Sequence, residues 1–441
     1  MADSKRSLST RLEAAAAALT GTVASPKGDD LLRYLGYGDG DAGAAPGRAR
    51  MLRAAALFRR LFRLPAPDAP GLVFFGAEAD PAMLGPHNAE LPVGGFAGSG
   101  LDPRRAFEAC VGEGIEYLSQ FAQPDDPLEL GMPAVYAETL DPGTRGFIDA
   151  VLGACRVPLD RAIGWSQVRR LTDGATVWFP ADLCLRRAGP DFVPPLKLST
   201  GCAAGITRQA ATLHGMLELI ERDAVALWWR GGRRGRPIDP DSEAGVAAVS
   251  LLKQIRRGQD DRRTVLLDIT SDLGIPVVAA FSSRSDGYGF ALGLSAGTGC
   301  ADAVRSAIFE MCQSELSLHV IAAKCRESGQ AALNDSDLRQ YARASVLDTH
   351  GCLLLQPDGG ASVTPAELSD DPVEAIVRPL AKRGIVTYSI DLTRPRFQVP
   401  VVRVIAPGLQ SEPSEIIGDR LVQAIAETGG GAQHSGGLAL L

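Results

Sequence analysis

Three segments of this chain share one layout, which constrains the fold more than any other feature. Each has a glycine, an alanine six positions later, a glutamate seven beyond the alanine, and a carboxylate or carboxamide three further on. The sets are Gly100, Ala106, Glu113 and Glu116; Gly205, Ala211, Glu218 and Glu221; and Gly297, Ala303, Glu310 and Gln313. Residues three apart on a helix share a face, so each set predicts a helix that presents two polar groups on one side. The neighbours are apolar: Cys110, Val111, Ile115 and Leu118 in the first, Met216, Leu217, Leu219 and Ile220 in the second, Ile308, Phe309 and Met311 in the third. Five glutamates turned inward would repel one another and lose hydration unless a cation sat among them. Magnesium bound with a polyphosphate is the simplest candidate.

A length of 441 residues suggests two or three domains, or one large domain with an extension. Residues 1–65 read as helices rich in Ala, Leu and Arg, broken by the Gly/Ala/Pro stretch from Gly38 to Gly47. The prolines of Leu64 to Pro70 cannot continue a helix, so the chain divides into a helical extension with linker, 1–70, and a main domain, 71–441. In that domain the apolar runs Gly71–Gly76, Ala175–Pro180, Thr264–Thr270, Ile275–Phe281 and Val399–Ala406 read as strands, the last followed by a Pro407-Gly408 turn. Asp102-Pro103 reads as a cap and first turn of the first carboxylate helix. Strands and helices alternate, which gives a mixed α/β or α+β class with glutamate-bearing helices packed on mixed sheets.

Apolar residues make up 45 % of the chain, and no run approaches the ~18 to 20 apolar residues of a membrane span. A soluble, cytoplasmic protein is the expectation. A net charge of −7 argues against a general nucleic-acid binder. The basic run Arg230 to Arg236 is the exception, and reads either as a solvated turn or as a contact for phosphate or an acidic peptide. Eight cysteines carry no CxxC pair, as expected of a reducing compartment.

The second segment is the richest. Ser199-Thr-Gly-Cys-Ala-Ala-Gly205 places small residues ahead of a helix, where backbone N–H groups can approach a phosphate. Glu218 and Glu221 can hold a divalent ion, and the guanidinium of Arg222 can fork onto phosphate oxygens. The plain alternative is a surface Glu218–Arg222 pair worth about 0.3–0.5 kcal/mol. No GxxxxGK[ST] motif exists, and Gly95-x-x-Gly98-x-Gly100 reads either as a phosphate loop or as a turn. The five histidines show no metal-binding spacing. His214 reads as a satisfied helix residue or as a contact to the acids, and Cys202 as a small buried thiol or as a nucleophile.

Ser199 to Trp229, STGCAAGITRQAATLHGMLELIERDAVALWW, resembles the central signature of the YcaO family. Gly98 to Ser119 is similar to the family's first signature, Ala303 to Gln313 to its third, and Pro400 to Leu409 to its closing strand and turn. The resemblance implies a YcaO-type ATP-binding fold in which clustered glutamates hold magnesium around the triphosphate. Carried over by position, Glu113, Glu116, Glu218, Glu221 and Glu310 become magnesium ligands, Arg222 and Gln313 contact ATP, and Ser99 contacts phosphate. It further implies activation of a peptide-bond oxygen by phosphorylation, with azoline formation from Cys, Ser or Thr of a ribosomally made precursor peptide. External sulfide or an amine as nucleophile would give a thioamide or an amidine instead.

The chain departs from the family pattern at Ile206 and Ala210, where the family has Asn and Glu, and at Tyr117, where arginine is common. Its end, Gly437-Leu-Ala-Leu-Leu441, does not match the proline-rich tail of many azoline-forming members. A catalytically degenerate scaffold that binds peptide or a partner is therefore the alternative of a different class. Residues 1–65 resemble no leader-peptide-binding domain, so a separate partner protein is expected to deliver the substrate. A homodimer is compatible with the sequence.

Overall fold

Local signals set most helix boundaries in this protein, as the computed structural model shows. It describes residues 2–21, 26–37, 44–88, 90–137, 139–359 and 371–441, so positions 38–43 of the predicted helix break lie outside the described residues. The helices are α1 (Ala2–Leu19), α2 (Pro26–Leu35), α3 (Ala45–Ala55), α4 (Pro103–Ser119), α5 (Pro133–Ala137), α6 (Pro142–Ala154), α7 (Ala181–Cys184), α8 (Arg208–Trp229), α9 (Glu243–Arg256), α10 (Cys300–Ser328), α11 (Asp335–Val346), α12 (Pro372–Lys382), α13 (Asp419–Thr428) and α14 (Ala432–Ser435). The strands are β1 (Arg60–Leu64), β2 (Val73–Ala79), β3 (Gly94–Gly100), β4 (Glu129–Gly131), β5 (Ile163–Arg170), β6 (Thr176–Pro180), β7 (Cys202–Ala204), β8 (Arg236–Pro237), β9 (Arg262–Asp268), β10 (Val277–Arg284), β11 (Ala291–Ala296), β12 (Tyr388–Asp391) and β13 (Val401–Ile405). Contacts divide the chain into one unit of Met1–Pro65, Leu72–Met216 and Val386–Ala406, and a second of Ala66–Gly71, Leu217–Ile385 and Pro407–Leu441.

In the first unit, β1, β2 and β3 form an antiparallel sheet, with Phe74 of β2 opposite Ser99 of β3. Helix α4 lies on this sheet. Asp102 caps it, accepting from the Arg105 N–H at 3.0 Å, and Pro103 occupies its first turn, where a missing N–H costs nothing. Ala106, Phe107, Cys110, Val111, Ile115 and Leu118 form its buried face. The run around Gly98 is thus strand, not loop. A Cβ on Gly98 would stand 2.2 Å from the Cys110 backbone nitrogen, so the glycine is there to let α4 down onto the strand. A second sheet in this unit runs β4-β5-β12-β13-β7, with β6 also on β5.

In the second unit the sheet runs β11-β10-β9-β8, and α10 lies on β10 and β11. Here Gly293 of β11 plays the same part: its Cβ would stand 2.1 Å from the Ala307 carbonyl oxygen and 2.2 Å from the Met311 nitrogen. Beside α10, the buried Glu315 carboxylate takes both Nη groups of Arg256 at 2.6 and 2.7 Å and the Ser282 hydroxyl at 2.5 Å. The runs predicted as strands at 71–76, 175–180, 264–270, 275–281 and 399–406 correspond to strands at 73–79, 176–180, 262–268, 277–284 and 401–405. Among the described residues every pairing between these strands is antiparallel. Alternation of element types along a chain does not fix strand direction.

The threefold sequence layout is a strand-to-helix junction. β3 leads into α4, β7 into α8 and β11 into α10. At each junction a Cβ on the glycine would approach the backbone nitrogen of the alanine six residues on: 2.8 Å for Gly100 and Ala106, 2.5 Å for Gly205 and Ala211, 2.8 Å for Gly297 and Ala303. All three alanines are fully buried. The chain therefore turns tightly against the new helix, and each glutamate follows two turns further along.

Candidate functional site

Each carboxylate helix holds its acids with backbone donors from a strand. In the first unit, Glu116 Oε1 accepts from the Ala204 N–H of β7 at 2.7 Å. In the second, Glu310 Oε2 accepts from the Leu294 N–H of β11 at 2.8 Å, and Glu221 accepts from the backbone of Ala296. Strand N–H groups of this kind orient a carboxylate without neutralising it.

The second unit brings acids of two layouts together. Glu221 is buried, and burial drives its carboxyl well above the usual carboxylate range. The Arg222 guanidinium opposes that shift, while Glu310 and Glu218 add to it. Burial works to lower Arg222, and Glu221, Glu218 and Glu310 more than offset it. Arg222 Nη2 lies 3.4 Å from Glu221 Oε1 and 3.5 Å from Glu218 Oε1, and among the described residues its buried Nε has no hydrogen-bond partner. Glu218, Glu221 and Glu310 are grouped with Arg222, a concentration of carboxylates that suits a divalent cation. Glu310 and Gln313 also line a cavity of about 230 Å³ with Ser314, Gln340 and Arg343.

The first unit contains a larger cavity, about 910 Å³, with Glu113 and Glu116 on its wall. Ala109, Gly112, Glu113 and Glu116 line it from α4, a spacing that puts them on one helix face. A Cβ on Gly112 would meet no atom within 4 Å. Ala204 to Thr207, Ala210, His214, Val399 and Pro400 also line it. Thr207 accepts from the Ala210 N–H at 3.1 Å and so caps α8. His214 Nδ1 lies 3.2 Å from the Ala204 carbonyl oxygen, a helix histidine with a backbone partner.

Of the remaining candidates, Ser99 sits on β3 opposite Phe74 and is not among the residues lining either cavity. Cys202 is buried, its Sγ 4.0 Å from the Glu116 carbonyl oxygen. The run Arg230 to Arg236 is neither a solvated turn nor a free basic patch. Arg230 pairs with Glu412 at 2.8 Å, Arg233 with Glu427 at 3.4 Å and Arg236 with Asp268 at 2.8 Å, while Arg234 donates to the Gln356 carbonyl at 3.0 Å. The cavity residues Arg48, Arg50 and Met51 of α3 carried no signal, because an arginine in an Ala/Arg-rich helix looks like any solvated face. Gly112 did carry one: a glycine inside a helix costs about 1 kcal/mol against alanine, and here its packing does not require it.

Residues 97–410 match the sequence model described as "YcaO cyclodehydratase, ATP-ad Mg2+-binding". The chain belongs to the YcaO family. ATP and magnesium are thus the cofactors of the family to which these acids belong, in agreement with the charge pattern of the site. An uncharacterized protein of Methanothermobacter thermautotrophicus is 26 % identical over 351 residues, 75 % of this chain and 86 % of its own. Among solved structures, a heterocyclase in complex with substrate and cofactor aligns with a TM-score of 0.66 at 23 % identity, over 87 % of this chain. This chain spans 55 % of that heterocyclase's length. The YcaO protein of Methanopyrus kandleri bound with AMPPCP and Mg2+ aligns with a TM-score of 0.55 at 19 % identity, over 87 % of this chain and 91 % of that one. The mixed α/β YcaO fold is shared with both. Among the described residues no three His, Cys, Asp or Glu side chains are grouped to hold a metal by themselves. Magnesium commonly takes one or two carboxylates and completes its shell with phosphate and water, so these residues fit it as a nucleotide complex. Among the described residues no helix is long and apolar enough to cross a membrane.

Proposed function

We propose that this protein carries out ATP-dependent modification of backbone amides in a ribosomally made precursor peptide, by cyclodehydration of Cys, Ser or Thr to thiazoline or oxazoline. The observation that carries the reading is the grouping of Glu218 and Glu221 around the guanidinium of Arg222, with Glu310 close enough to act on both Glu221 and Arg222. In this reading Glu113, Glu116, Glu218, Glu221 and Glu310 hold magnesium, and Arg222, Gln313 and Ser99 contact the nucleotide. Bound Mg-ATP supplies the phosphoryl group that makes an amide oxygen a competent leaving group.

The chain's own residues do the positioning. The N–H groups of Ala204 and Leu294 hold Glu116 and Glu310 in fixed orientations, so no reorganisation is spent when charge develops. Arg222 is fixed beside two carboxylates, Glu218 and Glu221. The small residues Ala109, Gly112, Gly205 and Ala210 leave room at the wall that carries Glu113 and Glu116. A separate partner protein presents the peptide, and the reaction takes place in the cytoplasm.

The test is mass spectrometry of a Cys- or Ser-containing precursor peptide after incubation with the protein, its partner and Mg-ATP. Loss of the mass of one water per modified residue is expected. An oxygen-for-sulfur exchange would replace azoline formation with thioamide formation. An unmodified peptide together with absent Mg-ATP binding would replace the enzyme with a scaffold.

A further inference from the structure

Among the arginines of the second unit that are at least partly buried, Arg343 of α11 is the one with no hydrogen-bond acceptor or ion-pair partner among the described residues. Burial and the neighbouring Arg339 push its guanidinium below the ordinary arginine value, and no carboxylate offsets them. An arginine keeps its charge in a protein all the same. A partly buried cation of this kind gives up hydration without a partner to replace it.

The position of Arg343 is fixed by its neighbours. Gln340, one turn earlier on the same face of α11, donates through Nε2 to the Ser314 carbonyl oxygen at 2.9 Å and to the Ser314 hydroxyl oxygen at 3.2 Å. Nearer the start of α11, Asp337 accepts from the Lys324 ammonium at 2.7 Å. These contacts hold α11 against α10 at two levels, and Arg343 comes to line the cavity of about 230 Å³. Its unpaired N–H groups are open to that space and not sealed in packed protein. The facing contribution from α10 is Glu310, Gln313 and Ser317, which recur at i, i+3 and i+7 and so share one helix face.

The cavity thus carries opposite charges that do not meet. Arg343 forms no ion pair with Glu310, and Glu310 is not among the charges that act on it. Glu310 Oε2 is held by the Leu294 N–H at 2.8 Å. A bare anion would be drawn to Arg343 and repelled by Glu310. An anion that arrives with a divalent cation suits both, the cation at the carboxylate and the anion's oxygens at the guanidinium fork. The volume falls below the ~300–1,000 Å³ of sites that enclose a whole small molecule, so the cavity takes one part of a ligand. A magnesium-bound phosphate group has the size and the charge pair, and the Gln313 amide adds a neutral donor.

We infer that Arg343 binds a phosphate group of the magnesium-bound nucleotide, in the cavity that it shares with Glu310 and Gln313. The inference rests on the ATP-dependent reading above and adds to it a cationic contact from α11, outside the three repeated layouts. Phe290, Leu292 and Leu294 form an apolar part of the wall, which leaves the attraction between guanidinium and phosphate poorly screened.

The experiment is calorimetric titration of the full chain with Mg-AMPPNP and, separately, with adenosine. Arg343→Gln is expected to weaken Mg-AMPPNP about tenfold and to leave adenosine unchanged. Arg343→Lys, which keeps the charge but not the fork, is expected a few-fold weaker than wild type, and it carries the test if Arg343→Gln is too unstable to titrate. Arg326→Gln, an exposed change on α10, should bind as wild type does. Wild-type affinity for Mg-AMPPNP in both Arg343 variants overturns the inference and leaves the ATP-dependent reading intact; a raised KM for the precursor peptide in those variants would then assign the cavity to the peptide. Equal weakening of adenosine and Mg-AMPPNP also overturns it, because Arg343 would then only shape the wall. Absence of Mg-AMPPNP binding by the wild-type chain removes the ATP-dependent reading, and the Arg343 contact with it.

Discussion

Glu221 shows most clearly what the acidic set costs and what it is for. Its burial, with Glu310 and Glu218 adjacent, holds the carboxyl towards its neutral form. An amide of the same shape therefore resembles the cation-free residue. Glu221→Gln is expected to melt at the wild-type temperature or slightly above, yet to lose about a hundredfold or more of Mg-ATP-dependent phosphate release, measured with the precursor peptide present. A wild-type rate in that variant would take Glu221 out of the site. Gly112 makes the complementary case. A Cβ there meets no atom within 4 Å, and any ordinary side chain gains helix propensity over glycine. Gly112→Leu should leave thermal stability unchanged or slightly raised while abolishing nucleotide binding by titration. Undiminished binding would show that nucleotide does not use the cavity lined by Gly112 and Glu113.

At the scale of elements, the glycines explain why three helices carry their acids in the same way. Gly98 and Gly293 let α4 and α10 settle onto their strands, and Gly100, Gly205 and Gly297 turn the chain against the first turn of each helix. Gly98→Ala is expected to cost about 3 kcal/mol by overpacking, because its Cβ would meet the backbone of α4 and not a movable side chain. Gly95→Ala on the same strand, where nothing lies within 4 Å, should change stability by less than about 0.5 kcal/mol. Chemical denaturation of the two variants checks the contrast. This layout was legible in sequence because it repeats: the interval from glycine to glutamate spans one tight junction and two helical turns, and physics leaves little freedom in either. Asp102-Pro103 was legible for the same local reason. The strand at 94–100 was not, because its glycines look like a loop until the helix that requires them is in place. Nor were the partners of Arg230 to Arg236, which come from residues 268, 356, 412 and 427, distances along the chain that no local pattern spans. The cavity on α3 and α4 was half legible, its acids from the repeat and its arginines from nothing local.

For the molecule as a whole, the net charge of −7 and the concentration of glutamates in the repeated helices set how a polyphosphate can approach. An unaccompanied nucleotide polyanion meets a field of its own sign, and each carboxylate near it adds repulsion that buried surroundings screen poorly. Magnesium held by carboxylates of the three layouts would supply positive charge that offsets this repulsion, so nucleotide and metal should bind as one unit and neither should bind well alone. The expected ranking in a thermal-shift titration is a large rise in melting temperature with Mg-ATP and little with magnesium only or with ATP in EDTA. At a hundredfold excess over its dissociation constant, Mg-ATP should add about 2.7 kcal/mol of stability, and EDTA added afterwards should return the protein to its starting melting temperature. Equal stabilisation by ATP in EDTA would mean that arginines alone hold the phosphates. The glutamates of the three layouts would then need a different explanation, since acids that bind no metal only oppose the ligand.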